Sequence, residues 1–109
     1  IGSHSRRHLR IRGAPYDVAV EELRGSRDEL EQSLGREVRS FAFPFGSHDR
    51  TSLSLVQYAG YDSACTLKRW ANSRTGNPLR LGRLSVGGPL TSRMLVLKLA
   101  KMYVMPSRA

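Results

Sequence analysis

The chain has 109 residues, 39% hydrophobic and 25% charged, with one cysteine and a net charge of +9. That length bounds it to a single domain with a small core. Lone Cys65 excludes an intrachain disulfide, and no apolar run is long enough to span a bilayer.

Residues 1–5 predict a strand end running into a loop. The chain opens on Ile1 with no signal peptide, and the expectation is processing or a start inside a longer domain, although Gly2-Ser3-His4 also matches a tag remnant. Arg6, Arg7, Arg10 and Arg12 cluster around His8, and Gly13-Ala14-Pro15 breaks the chain. Asp17 is suited to cap a helix that runs to about Leu34. Leu23, Leu30 and Leu34 recur at helical spacing, with Glu21, Glu22, Arg27, Asp28 and Glu31 largely on other faces, and Gly35 is the stop. Val38 to Phe45 reads as a buried strand closed by Gly46. Asp49 caps a helix from about Arg50 to Ala59, ended by Gly60. Tyr61 to Leu67 reads as a strand, residues 68–78 as a polar loop holding Trp70, and Leu79 to Val86 as another strand. After Gly87-Gly88-Pro89, Thr91 or Ser92 starts a helix to about Met105, ended by Pro106.

The order strand, helix, strand, helix, strand, strand, helix is that of an α/β fold with parallel strands. Four strands cannot close a barrel, which takes about eight, so a barrel here is a partial one. Chemistry in such folds sits at the carboxyl ends of the strands, which makes Pro44-Phe45-Gly46 a candidate site loop.

Charge is unevenly spread. Residues 1–49 hold eight Lys/Arg and eight Asp/Glu, net zero; residues 50–109 hold ten against one, Asp62, net +9. The second half can face a polyanion or an anionic membrane surface, or be a solvated face. It has no recognisable nucleic-acid motif, and one tryptophan is a poor stacking platform, so no nucleic-acid partner is expected. His4 and His8 stand four apart, a spacing that can bring two imidazoles to one metal ion. A hydrolytic zinc site needs a third ligand. The same pair in a basic stretch can also be a solvated surface, or an anion contact with Arg6 and Arg7.

His4-Ser5-Arg6-Arg7-His8 resembles the metal-binding His-(Ser/Thr)-x-x-His motif of polysaccharide deacetylases, the family sharing the NodB homology domain. Glu22-Leu23, Ser26-Arg27, Leu30-Glu31 and Leu34-Gly35 resemble the helix that follows it there. Phe41-Ala42-Phe43-Pro44-Phe45-Gly46 resembles the next motif, in the branch written Phe-Ala-Tyr-Pro-Tyr-Gly; Asp49, Ala59-Gly60-Tyr61 and Leu81-Gly82-Arg83-Leu84-Ser85-Val86 follow in the family's order.

The resemblance implies the C-terminal half of a distorted (β/α) barrel with its N-terminal strands missing. The activity it implies is metal-dependent hydrolysis of an N- or O-acetyl group on a carbohydrate, with a divalent ion, zinc first, as cofactor. By the match, His4 and His8 are metal ligands and the Phe45 backbone N–H helps hold the oxyanion. Phe43, Pro44 and Phe45 line the substrate groove, with core packing the alternative for the two rings. The family's Thr-Phe-Asp-Asp run, source of the third ligand and the base, would precede Ile1. Its arginine in the Pro-Tyr-Gly motif aligns with Ala42. No histidine follows His48, so His48 is the only candidate for the late acid; a surface position at the helix start is its other reading. The expectation is therefore little activity from this chain alone, an upstream segment or self-association to complete it, and a bacterial-type location at the cell envelope or the cytoplasmic face of the membrane. The rival readings are a basic polyanion-binding module and a non-catalytic remnant that binds carbohydrate.

Overall fold

The computed structural model describes residues 1–104. Helix α1 (Tyr16–Val20), a π-turn (Glu21–Gly25) and α2 (Ser26–Leu34) form one helical path. The helix begins one residue before the expected cap. Pro15 occupies the cap position, and Asp17 lies in the first turn with no capping bond. A proline has no N–H to leave unpaired at a helix start, and its φ already suits one. Gly35 ends α2 in the left-handed conformation, φ 65, as the sequence predicts.

The stripe this helical path buries differs from the one expected. Ala19, Glu22, Leu23 and Ser26 face inward, at spacings of three and four. Leu30 is half-buried and Leu34 is exposed. Glu22 therefore belongs to the inner face, not to a solvent face.

Strand β1 (Ser40–Ala42) pairs in parallel with β2 (Ser63–Cys65), with Phe41 opposite Ala64. A single parallel bridge joins Ser3 to Phe41 on one side, and another joins Cys65 to Leu81 on the other. Four chain segments thus lie side by side in sequence order, with helices crossing over between the first three. The α/β class is as expected. The strands are shorter than expected, for identifiable reasons. Pro44 has no N–H for a ladder, and Pro44–Gly46 is a 3-10 turn in which Phe45 is left-handed. The segment expected as a strand over Leu79–Val86 keeps only the bridge at Leu81. At Gly82 the Asn72 side chain accepts the backbone N–H (2.8 Å) and donates to the carbonyl (3.1 Å), replacing a strand partner.

Helix α3 (Arg50–Tyr58) has the expected cap: Asp49 accepts the Ser52 N–H, and the Ser52 hydroxyl accepts the Asp49 N–H in return. Helix α4 (Ser92–Val104) starts where expected, with the Thr91 hydroxyl accepting the Met94 N–H. Its expected end at Met105 and Pro106 lies outside the described residues. Among the described residues no helix is long and apolar enough to cross a membrane.

The core is built on Phe41, whose ring meets Phe43 edge-on and Tyr61 obliquely, both at 5.3 Å between centroids. Ile11, Leu23, Val38 and Val56 close around them. Each fully buried large side chain contributes roughly 1.5–3 kcal/mol. Hydroxyls tie the helix to the sheet: Ser26 Oγ lies 2.6 Å from Ser3 Oγ, and Tyr61 donates its hydroxyl to the Leu23 carbonyl at 2.8 Å. Because the segments are parallel, the loops that follow Ser3 and β1 leave from the same end of the sheet.

Candidate active site

The loop after Ser3 carries the two histidines. His4 Nδ1 lies 2.7 Å from the Ala42 carbonyl, the last residue of β1. A carbonyl only accepts, so Nδ1 bears the proton and His4 Nε2 carries a lone pair, which accepts from His8 Nε2–H. That Nε2 is 3.1 Å from His8 Nε2. Two ring nitrogens bound to one tetrahedral ion at ~2.05 Å would stand about 3.3 Å apart, so the pair fits two positions of such an ion. Among the described residues no group of three His, Cys, Asp or Glu could hold a metal, so further ligands would have to come from elsewhere.

The loop between the histidines is held by the helix. Glu22, fully buried, accepts the N–H of Arg6 (2.8 Å), the N–H of Arg7 (2.7 Å) and Arg7 Nε–H (2.7 Å). Burial pushes its carboxyl up, but these bonds and the Arg7 charge outweigh that and hold it below the usual range. Arg6 pairs with Glu21 and Glu29. Both arginines are thus engaged by helix carboxylates rather than left to repel a cation at the histidines. Ser5 Oγ is buried with no partner among the described residues.

The loop after β1 completes the arrangement. The Phe45 ring lies against His8, 4.7 Å between centroids, and the Arg10 guanidinium sits over the Phe45 ring, 4.3 Å from its centroid. Three residues with side chains have a positive φ in the whole described chain: Ser5 (65), His8 (57) and Phe45 (60). All three belong to these two loops, a concentration typical of functional sites. In the second loop Phe43 N–H goes to Cys65 O, Gly46 N–H to Phe43 O and Ser47 N–H to Pro44 O. Phe45 N–H has no such backbone acceptor among the described residues.

Of the residues expected to line a groove, Phe43, Pro44 and Phe45, only Phe45 is exposed. Phe43 and Pro44 are fully buried, their side chains packed beneath the loop, while Phe45 is 53% exposed. The alternation of a strand explains Phe43, which points inward like Phe41. His48 Nδ1 donates to the Gly46 carbonyl at 2.8 Å, and its ring stacks obliquely on Phe43. It lines a cavity of about 400 Å³ with Asp49, Arg50, Leu53, Asn77 and Arg80, a group that includes neither of the other histidines nor Phe45. The structure brings His4, His8 and Phe45 together and leaves His48 to brace the turn. Glu22 escaped the sequence reading. Its signal was there in the spacing Ala19, Glu22, Leu23, Ser26, which puts a carboxylate on the inward stripe.

The fold is that of solved deacetylases. The deacetylase PplD of Streptococcus pyogenes, in complex with acetate, superposes with a TM-score of 0.81 at 23% identity, over 89% of this chain and 43% of that one. A polysaccharide deacetylase from Bacillus cereus superposes with a TM-score of 0.77 at 23% identity, over 90% of this chain and 31% of that one. The chain therefore spans less than half the length of these structures. No curated protein matches it. The polysaccharide deacetylase family model matches residues 1–64, a span that contains both histidines, the Glu22 clamp and the Phe45 turn. The chain belongs to the polysaccharide deacetylase family.

Proposed function

We propose that this chain carries part of the active site of a carbohydrate deacetylase, which hydrolyses an acetyl group from a sugar polymer with a divalent metal ion, zinc first. The observation that carries the reading is the convergence of His4 Nε2 and His8 Nε2 at 3.1 Å, beside an exposed Phe45. His4 and His8 would hold the ion, which when bound activates water and polarises the acetyl carbonyl. The Ala42 carbonyl fixes the His4 ring and leaves its Nε2 facing the site. The Phe45 N–H is a donor for the oxygen of the acetyl group as negative charge builds on it. The Phe45 ring is a platform for the sugar or the acetyl methyl. We assign no proton transfer to His48. The four parallel segments we read as part of a (β/α) barrel.

With two protein ligands and no third beside them among the described residues, the chain alone should bind zinc weakly. It should deacetylate acetylated glucosamine oligomers no faster than a metal blank. Joining a segment that carries an Asp-Asp motif should restore both zinc binding and turnover, and His8→Ala in that longer protein should abolish them. Zinc binding indifferent to His4→Ala and His8→Ala, in either form, would refute the assignment.

A further inference from the structure

We propose that Glu22 is the positioning residue of the histidine loop: it sets the backbone between His4 and His8 so that their Nε2 atoms converge. The proposal rests on reading that pair as metal ligands, but it concerns the loop itself.

Ser5 and His8 both have left-handed backbones, unfavourable for residues with a Cβ, so the loop must be held in shape by contacts. The three bonds to Glu22 fall between those two residues, at Arg6 N–H, Arg7 N–H and Arg7 Nε–H. Both carboxylate oxygens are used: Oε2 takes the two backbone donors and Oε1 the guanidinium. An apolar side chain of similar volume would fill the same space but leave the Arg6 and Arg7 N–H groups without their acceptor. A carboxylate does what such a side chain cannot: it accepts adjacent N–H groups on one oxygen and the Arg7 Nε–H on the other. The residue comes from a π-turn, a distortion frequent at functional sites. Glu21 and Glu29 treat Arg6 in the same way, so the helix neutralises both cations that lie between the histidines.

The test is Glu22→Gln in the full chain, read by nuclear Overhauser contacts between the His8 and Phe45 rings without metal, and by zinc affinity. The amide keeps the volume but offers one acceptor oxygen in place of two. With the Phe41 and Tyr61 core signals intact, the ring contacts should weaken, because one oxygen cannot hold both backbone N–H groups and the guanidinium, and zinc affinity should fall roughly 10–100-fold. Leu23→Ala, its equally buried neighbour, should lose stability yet keep the ring contacts, and its folded fraction should keep its zinc affinity. Arg7→Ala removes only the side-chain bond from an exposed residue, so it should fold. It should weaken the contacts and zinc binding partially, and it decides the matter if Glu22→Gln does not fold. Ring contacts as strong as in the parent in a folded Glu22→Gln, or in Arg7→Ala when Glu22→Gln fails to fold, overturn the proposal. So does a zinc loss in folded Leu23→Ala as large as that in Glu22→Gln. If zinc binding to the parent ignores His8→Ala, the metal reading fails, and the metal-free ring contacts alone decide the role of Glu22.

Discussion

His8 and Phe45 lie ring against ring at 4.7 Å, and each does so from a left-handed backbone. Neither conformation is one that a residue with a Cβ adopts without cost, about 1–2 kcal/mol per residue. Phe45→Gly removes that cost along with a ring that is half exposed, so urea denaturation should find it no less stable than the parent. Phe45→Val puts a branched Cβ at φ 60 and should be less stable than the glycine variant by at least ~1 kcal/mol. Equal stability of the two variants would mean that the turn is not left-handed in solution.

The Asp49–Ser52 capping box makes a second prediction. Asp49→Ala should cost about 1 kcal/mol, seen as a lower denaturant midpoint with an unchanged slope. Asp49→Asn should cost less, because asparagine caps about as well. An alanine variant as stable as the parent would contradict the cap.

Acid should unfold the chain through two carboxylates. Asp49 is held below the ordinary range first by the Ser52 N–H bond, against burial, and then by the Ser52 hydroxyl and the charges of Arg12 and His48. In Glu22 burial acts upward, and the bonds from Arg7 and Arg6 outweigh it. Folded-state values below the unfolded ones mean that the unfolded chain binds more protons. The stability they contribute is complete above the unfolded values near ~4 and is lost as pH falls through the folded ones. Tm should be level from neutral pH to about 5 and fall below about 4. Glu22→Gln and Asp49→Asn should each make that fall shallower. A Tm that rises on acidification through this window would reverse the assignment.

Self-association is the fourth expectation. Helix α4 exposes Val96, Leu97 and Tyr103, and the two-stranded sheet is flanked by single bridges rather than full strands. Bare apolar surface and thinly covered sheet edges favour association. Sedimentation at rising protein concentration should show oligomers, and Val96→Lys with Leu97→Glu should shift them toward monomer. A single sharp monomer boundary at all concentrations would count against this.

The elements that depend on local chemistry were legible. The Gly35 stop, the Asp49 cap and the Gly60 turn follow from what those residues do to their own backbone. The juxtaposition of His4, His8 and Phe45 was legible only through the family resemblance, because nothing local brings residues 4 and 45 together. Strand ends were misread where side chains compete for the backbone, as Asn72 does at Gly82. The helix face was misread because two of its inward positions are polar. Glu22 and Ser26 are buried by hydrogen bonds to the loop and to Ser3, which a search for leucines does not detect.

The histidine loop takes its shape from partners far along the chain. Arg6 and Arg7 reach Glu22, sixteen and fifteen residues on, and His4 reaches Ala42, 38 residues on. Contacts this distant form only after their loop-closure entropy has been met. The histidines are thus made before the residues that orient them and organised after those residues. While the polypeptide is still being synthesised, an ion that meets them before Ala42 has emerged encounters two flexible imidazoles, with neither the bite nor the orientation of the finished site. If His4 and His8 hold an ion as proposed, its productive uptake would be a late event that follows the docking of the helix on the sheet.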